Sequence, residues 1–160
     1  DKVTLVPGGI ERQDSVYNGF CELSTQTEIV LVHDGVRPFL SHQMIQESVD
    51  AAREYGAAIT AIPVNDTIKK VDDSGLVSQT VDREGLWRVQ TPQVFRYEIL
   101  QEAFKKANSE KFYGTDEGTL IEHLGKPVKV VEGSEQNIKI TRPEDLRLSE
   151  IFISKAFPEN

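Results

Sequence analysis

Residues 29–32 are Ile29-Val30-Leu31-Val32, four consecutive apolar residues of which three are β-branched. Such a run without alternation is the mark of a strand buried on both faces, the kind found inside a parallel sheet. It gives way at once to His33-Asp34-Gly35-Val36-Arg37-Pro38. Gly35 and Pro38 turn the chain, so the polar groups gather where the strand ends. In open α/β sheets ligands bind outside the carboxyl ends of the strands. Taken alone, these ten residues are read equally well as an ordinary solvated strand end.

The rest of the chain supplies the context. A short strand is expected over residues 3–6, broken by Pro7-Gly8-Gly9, and a helix from Arg12 with Val16, Phe20 and Leu23 on one face. Ser41 is a candidate N-cap for a helix reaching Tyr55, with Met44, Ile45, Val49 and Ala52 as its apolar stripe and Gly56 as its stop. Residues 57–64 read as a second buried strand. This alternation predicts an α/β fold with parallel strands joined by right-handed helical crossovers.

From Asn65 the pattern changes. Residues 67–71 and 76–81 read as two β-rich runs around the turn 72–75, too polar to be core. Such a hairpin either lies on the body or projects as an arm that a second subunit covers. A short strand at 86–89 then ends in Gln90-Thr91-Pro92-Gln93, and Val94-Phe95 leads into a helix striped by Ile99, Leu100, Ala103, Phe104 and Ala107. Thr115 is expected to cap a helix running to Leu124 and stopped by Gly125. Strands follow at 128–131 and 137–140. Thr141 to Glu144 has capping-box spacing for a closing helix that Leu148, Ile151 and Phe152 would seat on the body. There is no repeat, low-complexity tract or linker, so residues 1–160 are expected to form a single domain.

Composition narrows the chemistry. Twenty-six acidic against 18 basic residues leave a formal charge of −8, which argues against a nucleic-acid partner. His33, His42 and His123 are widely separated and the lone Cys21 has no partner at zinc spacing, so neither a structural zinc nor an internal disulfide is expected. Cys21 falls on an expected helix and reads as a small buried apolar residue. With no Gly-x-Ser-x-Gly stretch, covalent catalysis is disfavoured. Nothing resembles a signal peptide or a membrane span, and a reducing cytoplasm fits best.

Polar and basic residues recur just after the apolar runs. Asp34 and Arg37 follow one strand, Asp66 and Thr67 another, Gln90 and Thr91 a third, and Lys139 sits in a fourth. An arginine fork and a lysine charge near hydroxyls suit phosphate, and a carboxylate among them suits a divalent cation that carries phosphates of its own.

Seven segments in order carry a more specific likeness. They are residues 8–16 (Gly-Gly-Ile-Glu-Arg-Gln-Asp-Ser-Val), 32–38, 63–69, 80–87, 90–93, 114–117, and 131–133 continuing through 137–146. In order and spacing they resemble the 2-C-methyl-D-erythritol 4-phosphate cytidylyltransferases. The resemblance implies a Rossmann-like nucleotidyltransferase with a mostly parallel sheet, helices on both faces and a β-hairpin arm over residues 65–85. It implies transfer of a cytidylyl group from CTP to methylerythritol 4-phosphate, with release of pyrophosphate, in non-mevalonate isoprenoid synthesis.

By the same resemblance, Gly9 and Ser15 belong to the cytidine site. Asp34 lies near the ribose, the metal (Mg²⁺ or another divalent cation) and the incoming substrate. Arg37, Thr67, Arg83, Thr91 and Thr115 hold the polyol phosphate, and Lys139 supports the reacting phosphates. Thr67 and Arg83 flank the arm, which implies a homodimer whose partner completes the site. A ribitol 5-phosphate cytidylyltransferase shares the fold and the His-Asp-x-x-Arg-Pro-Phe turn, but residues 83–87 and 66–69 match the methylerythritol enzymes better. A non-catalytic nucleotide-binding or dimerising module is the alternative of another class. The family's amino-terminal glycine-rich loop, with its arginine and lysine, has no counterpart here. The chain is therefore expected to correspond to the carboxyl-terminal two-thirds of such an enzyme and to have little transferase activity alone.

Overall fold

The computed structural model describes residues 3–156. Its elements in chain order are α1 (Arg12–Cys21), β1 (Ile29–Val32), α2 (His42–Tyr55), β2 (Ala57–Pro63), β3 (Ile68–Val71), β4 (Val77–Val81), β5 (Trp87–Arg96), α3 (Tyr97–Glu110), α4 (Glu117–His123), β6 (Lys129–Glu132) and α5 (Pro143–Ala156). Four strands form one sheet in the order β1-β5-β2-β6, and β3 and β4 pair apart from it. β2 and β6 are parallel, while β5 is antiparallel to both neighbours. Three strands thus share a direction, as the mostly parallel reading requires, and β5 is inserted against them.

Alternation along the strands divides the core in two. Val30, Ala57 and Phe95 face one way, toward Phe20 of α1, Leu100 and Phe104 of α3, and Leu120 and Ile121 of α4. Ile29, Ala58 and Val94 face the other, toward Val49 and Ala52 of α2. Because strand side chains alternate faces, this puts helices on both sides of the sheet. Phe95, Leu100 and Phe104 are fully buried, each contributing about 1.5–3 kcal/mol of apolar burial.

Local chemistry sets several boundaries. Ser41 Oγ accepts the Met44 amide at 3.1 Å at the start of α2, and Gly56, at φ 92°, ends it in the left-handed region. In the β3–β4 hairpin one oxygen of Asp72, Oδ1, accepts from the amides of Ser74 and Leu76 and from the Ser74 hydroxyl. Every residue of β3 is exposed, so the hairpin adds nothing to the core.

Several expectations are corrected. Residues 3–6 form no strand, and Val3 and Leu5 are 89% and 92% exposed. An apolar run becomes a strand only where a neighbour takes its backbone hydrogen bonds. The strand expected at 86–89 continues through the Gln-Thr-Pro-Gln segment to Arg96, with Thr91–Pro92 in the cis form. Asp116, not Thr115, caps α4, accepting the Thr119 amide at 2.8 Å. Residues 137–140 are irregular, although the Ile140 amide donates to Val36 O. Before α5 the accepting carboxylate is Asp145, which takes the amides of Thr141 and Arg142, rather than Glu144. α5 is seated by Phe152 edge-on to Phe39 and by buried Ser149, while Leu148 and Ile151 stay exposed. Cys21 is exposed, since it follows Phe20, the residue of that turn that enters the core. Among the described residues no helix is long and apolar enough to cross a membrane.

Candidate active site

The carboxyl end of β1 delivers Asp34 into a cavity of about 300 Å³. Arg37, Thr91, Thr115 and Lys139 line it too, together with Arg12, Val89, Gln90, Gln93 and Asp116. Residues from five separate stretches of sequence therefore converge on one cavity. An apolar hollow of about 350 Å³ along β1 is lined by Val16, Phe20, Leu23, Val30 and Leu100 among others. It gathers no such charges.

Three cations surround Asp34. Lys139 Nζ lies 3.2 Å and Arg37 Nε 3.4 Å from Oδ2, while Arg12 Nη2 lies 3.6 Å from Oδ1. Burial pushes the Asp34 carboxyl up, but the hydrogen bond and charge of Lys139, then the charges of Arg12 and Arg37, outweigh it and hold the group below the ordinary carboxylate range.

The turn after β1 is locked by a short relay. The Asp34 amide donates to Thr91 Oγ1 at 3.0 Å, and Thr91 Oγ1 lies 3.0 Å from His33 Nδ1. His33 Nε2 is 2.9 Å from Arg37 O. A carbonyl only accepts, so Nε2 carries the proton, and the Thr91 hydroxyl donates to Nδ1. Arg37 Nη1 donates to Asn137 O at 2.7 Å, and the Asn137 side-chain Nδ2 donates to Thr91 O at 2.8 Å. Thr91 thus organises the turn as well as lining the cavity.

Gly9 and Ser15 do not line this cavity. The Gly9 amide donates to Ser15 Oγ at 2.9 Å, folding the glycine loop onto the first turn of α1. A Cβ on Gly9 would lie 2.1 Å from Asp14 Cβ, so only glycine fits there. Thr67 and Arg83 also stand outside it. Thr67 is exposed beside the hairpin, and Arg83 donates through Nη1 to Asn65 O at the hairpin's base.

Sequence reading missed three contributors: Arg12, Glu117 and Asn137. Arg12 and Glu117 lie within the quoted segments, yet their pairing spans 105 residues and leaves no local trace. Asn137 carried a fainter signal, an amide at the head of an apolar run.

A metal held by the protein alone does not fit these residues. Asp34 is a single carboxylate with three cations within 3.6 Å, and the described residues contain no group of three or more His, Cys, Asp or Glu side chains suited to an ion. Hard divalent cations require several oxygen ligands.

Comparison with known proteins bears on what this arrangement is. The family model for 2-C-methyl-D-erythritol 4-phosphate cytidylyltransferase (IspD) matches residues 1–155. The chain belongs to this family. A relative of that name from Pelotomaculum thermopropionicum is 54% identical over 149 residues, covering 93% of this chain and 63% of the relative. Another from Syntrophus aciditrophicus is 52% identical over 151 residues, covering 94% of this chain and 64% of the relative. The chain thus spans less than two-thirds of the length of these cytidylyltransferases. Among solved structures, the Thermus thermophilus cytidylyltransferase superposes with a TM-score of 0.83 at 38% identity, covering 91% of this chain and 70% of that one. The Anaerococcus prevotii 4-diphosphocytidyl-2C-methyl-D-erythritol synthase gives 0.83 at 36%, covering 92% and 68%.

Proposed function

We propose that the natural protein carrying this chain transfers a cytidylyl group from CTP to 2-C-methyl-D-erythritol 4-phosphate, releasing pyrophosphate. One observation carries the reading: Arg37, Lys139 and Arg12 converge on Asp34 in a single cavity, in a chain of this family.

A phosphate oxygen of the polyol attacks the α-phosphorus of CTP. The new phosphorus–oxygen bond forms as the bond to the β-phosphate oxygen breaks, and its electrons leave on pyrophosphate. Catalysis of this kind consists of alignment and neutralisation of charge, with no side-chain nucleophile. Lys139 supplies a mobile point charge, and Arg37 a fork that Asn137 O fixes in place. Both rest against Asp34, so an incoming phosphate exchanges one anionic partner for another without leaving a cation bare. Thr115 offers a hydroxyl at the rim. A divalent cation belongs in this reading with the nucleotide's own phosphates, shielding their charge.

Gly9 and Ser15 are assigned to the cytidine side. Thr67 and Arg83 are assigned to the polyol phosphate of a partner subunit, reached by the hairpin of a homodimer. The exposed Val71, Leu76 and Val77 support that role, since they form apolar surface on an element that leaves the core.

The test is incubation of the natural protein carrying this chain with CTP and methylerythritol 4-phosphate, followed by ³¹P NMR and mass spectrometry, with ribitol 5-phosphate in parallel. A diphosphodiester product from methylerythritol phosphate is expected. Product from ribitol phosphate alone, or from neither, overturns the reading.

A further inference from the structure

Arg12 and Glu117 have no part in the reading so far beyond a share of the charge. Glu117 opens α4 with its side chain only 1% exposed, and both its oxygens accept from Arg12 Nη1, at 2.8 and 2.9 Å. The other end of the same guanidinium, Nη2, lies 3.6 Å from Asp34 Oδ1. Arg12 therefore spans a buried carboxylate and the carboxylate at the centre of the cavity.

The surroundings hold this bridge rigid from both sides. Gln13, next to Arg12, ties the first turn of α1 to the loop before α4. Its Nε2 donates to Phe112 O at 3.1 Å, and its Oε1 accepts the Gly114 amide at 2.9 Å. On the far side Gln93 of β5 staples the start of α4 to the sheet. Its amide nitrogen donates to Asp116 Oδ2 at 2.8 Å, and its oxygen accepts the Gly118 amide at 3.1 Å. A Cβ on Gly118 would meet Ile59 Cγ2 at 3.1 Å, so the helix sits hard against β2.

Stability alone explains this arrangement poorly. A buried ion pair contributes little net, because desolvation offsets most of the attraction, and a packed apolar pair of similar volume does as well. Burial pushes the Glu117 carboxyl up even against the pull of Arg12. What the pair supplies that an apolar pair would not is direction. A guanidinium gripped through one nitrogen by both carboxylate oxygens has little freedom left in its other end.

We infer that Glu117 is a positioning residue for the transfer reaction, acting through Arg12 to hold Asp34 Oδ1 on one side of the cavity while Oδ2 stays with Lys139 and Arg37. This rests on the proposed cytidylyl transfer. Without the grip on Oδ1, the Asp34 carboxylate turns toward Lys139 and Arg37, binds them more closely and withholds them from phosphate. The loss falls on turnover more than on nucleotide binding.

The experiment compares Glu117→Gln, Arg12→Ala and the double variant in the natural protein carrying this chain. Glu117→Gln is expected to lower kcat by about tenfold or more while the KM for CTP stays within about threefold, and to cost nothing further once Arg12 is alanine. Unchanged kcat, or an equal loss in the Arg12→Ala background, overturns the inference, the latter because it marks a merely structural role. Nitrogen-15 relaxation of the Arg12 Nε–H is the second readout, independent of turnover. An ordered side chain in the parent and a disordered one in Glu117→Gln is expected, and equal order in both overturns the inference. Should Glu117→Gln not fold, Arg12→Lys at its 38% exposed position keeps the charge but loses the fork, and must show the same fall in kcat. Failure of the parent to use CTP and methylerythritol phosphate would sink the transfer reading on its own, with the relaxation data still deciding whether Glu117 holds Arg12.

Discussion

Replacing Asn137 should separate the scaffold of the site from its charges. The residue is completely buried. Its side-chain nitrogen donates to Thr91 O at 2.8 Å and to Gln90 Oε1 at 3.3 Å, and its backbone oxygen accepts from Arg37 Nη1 at 2.7 Å. Asn137→Ala takes the donor from a buried carbonyl, a loss of about 1–3 kcal/mol. Part is recovered, because Asn137 Oδ1 has no hydrogen-bond partner among the described residues and its unmet demand goes with it. A net loss of about 1–2 kcal/mol is expected. Asn137→Asp is worse, since it sets a carboxylate against two acceptor oxygens in the same space. Its cost at pH 7 should approach the roughly 3–5 kcal/mol of an uncompensated buried charge. At about 2–4 °C per kcal/mol for a chain of this size, alanine lowers Tm by about 2–8 °C and aspartate by about 6–20 °C. Urea unfolding for the free energies and thermal unfolding for Tm, each followed by far-UV circular dichroism at pH 7, read both variants. An aspartate variant as stable as the parent, or more stable than the alanine variant, would refute the donor assignment and with it the account of how Asn137 braces Thr91 and Gln90.

Three other outcomes follow from the same structure. Asp34 is held below its ordinary range, and a depressed folded value gives stability that is present above the unfolded pKa and lost as pH falls through the folded one. Asp34→Asn should therefore lose less Tm than the parent between pH 6 and pH 3, and an identical acid limb would contradict this. Gly133→Ala forces a Cβ to within 2.4 Å of Gln90 Oε1 and 2.9 Å of Thr60 Cγ2, so a destabilisation of about 1–3 kcal/mol is expected in the same urea assay; no change would mean that the Gln90 wall is soft. If the hairpin joins two subunits, Val71→Asp with Val77→Asp should shift the sedimenting species from dimer to monomer, and a dimer that persists would place its interface elsewhere.

The sequence carried the fold wherever local pattern and tertiary need agree. Ser41 and Gly56 bound α2 because capping and left-handed backbone are matters of one turn. The Asp72 turn closes the hairpin by contacts that span only four residues. The reading broke at β5 for an instructive reason. Gln90, Thr91 and Gln93 are polar and flank a proline, so they look like a strand's end, yet all three are buried. Each is satisfied by a partner far along the chain: Gln90 by Ser134, Thr91 by His33, Gln93 by Asp116. A strand that walls a polar cavity looks like a loop. Asp34, Arg37, Thr91 and Lys139, marked by their places in or after apolar runs, and Thr115, marked by the family's spacing, do converge. Arg12 and Glu117, joined only in three dimensions, carried no such mark.

The reversed course of β5 has a consequence for how the site could be altered. One wall of the cavity is a strand that pairs with β2 on both sides of a bulge at Gln90, Thr91 and Pro92, and with β1 only from Gln93 onward. Gln93 is paired on both edges, while the side chains of Gln90 and Thr91 are committed to Ser134 O and to His33, so this wall tolerates little retuning. The opposite rim, at Thr115, carries no such ladder. A cavity built this way keeps one wall fixed and leaves its shape to drift at the rim, which is where an effort to alter what it binds should begin.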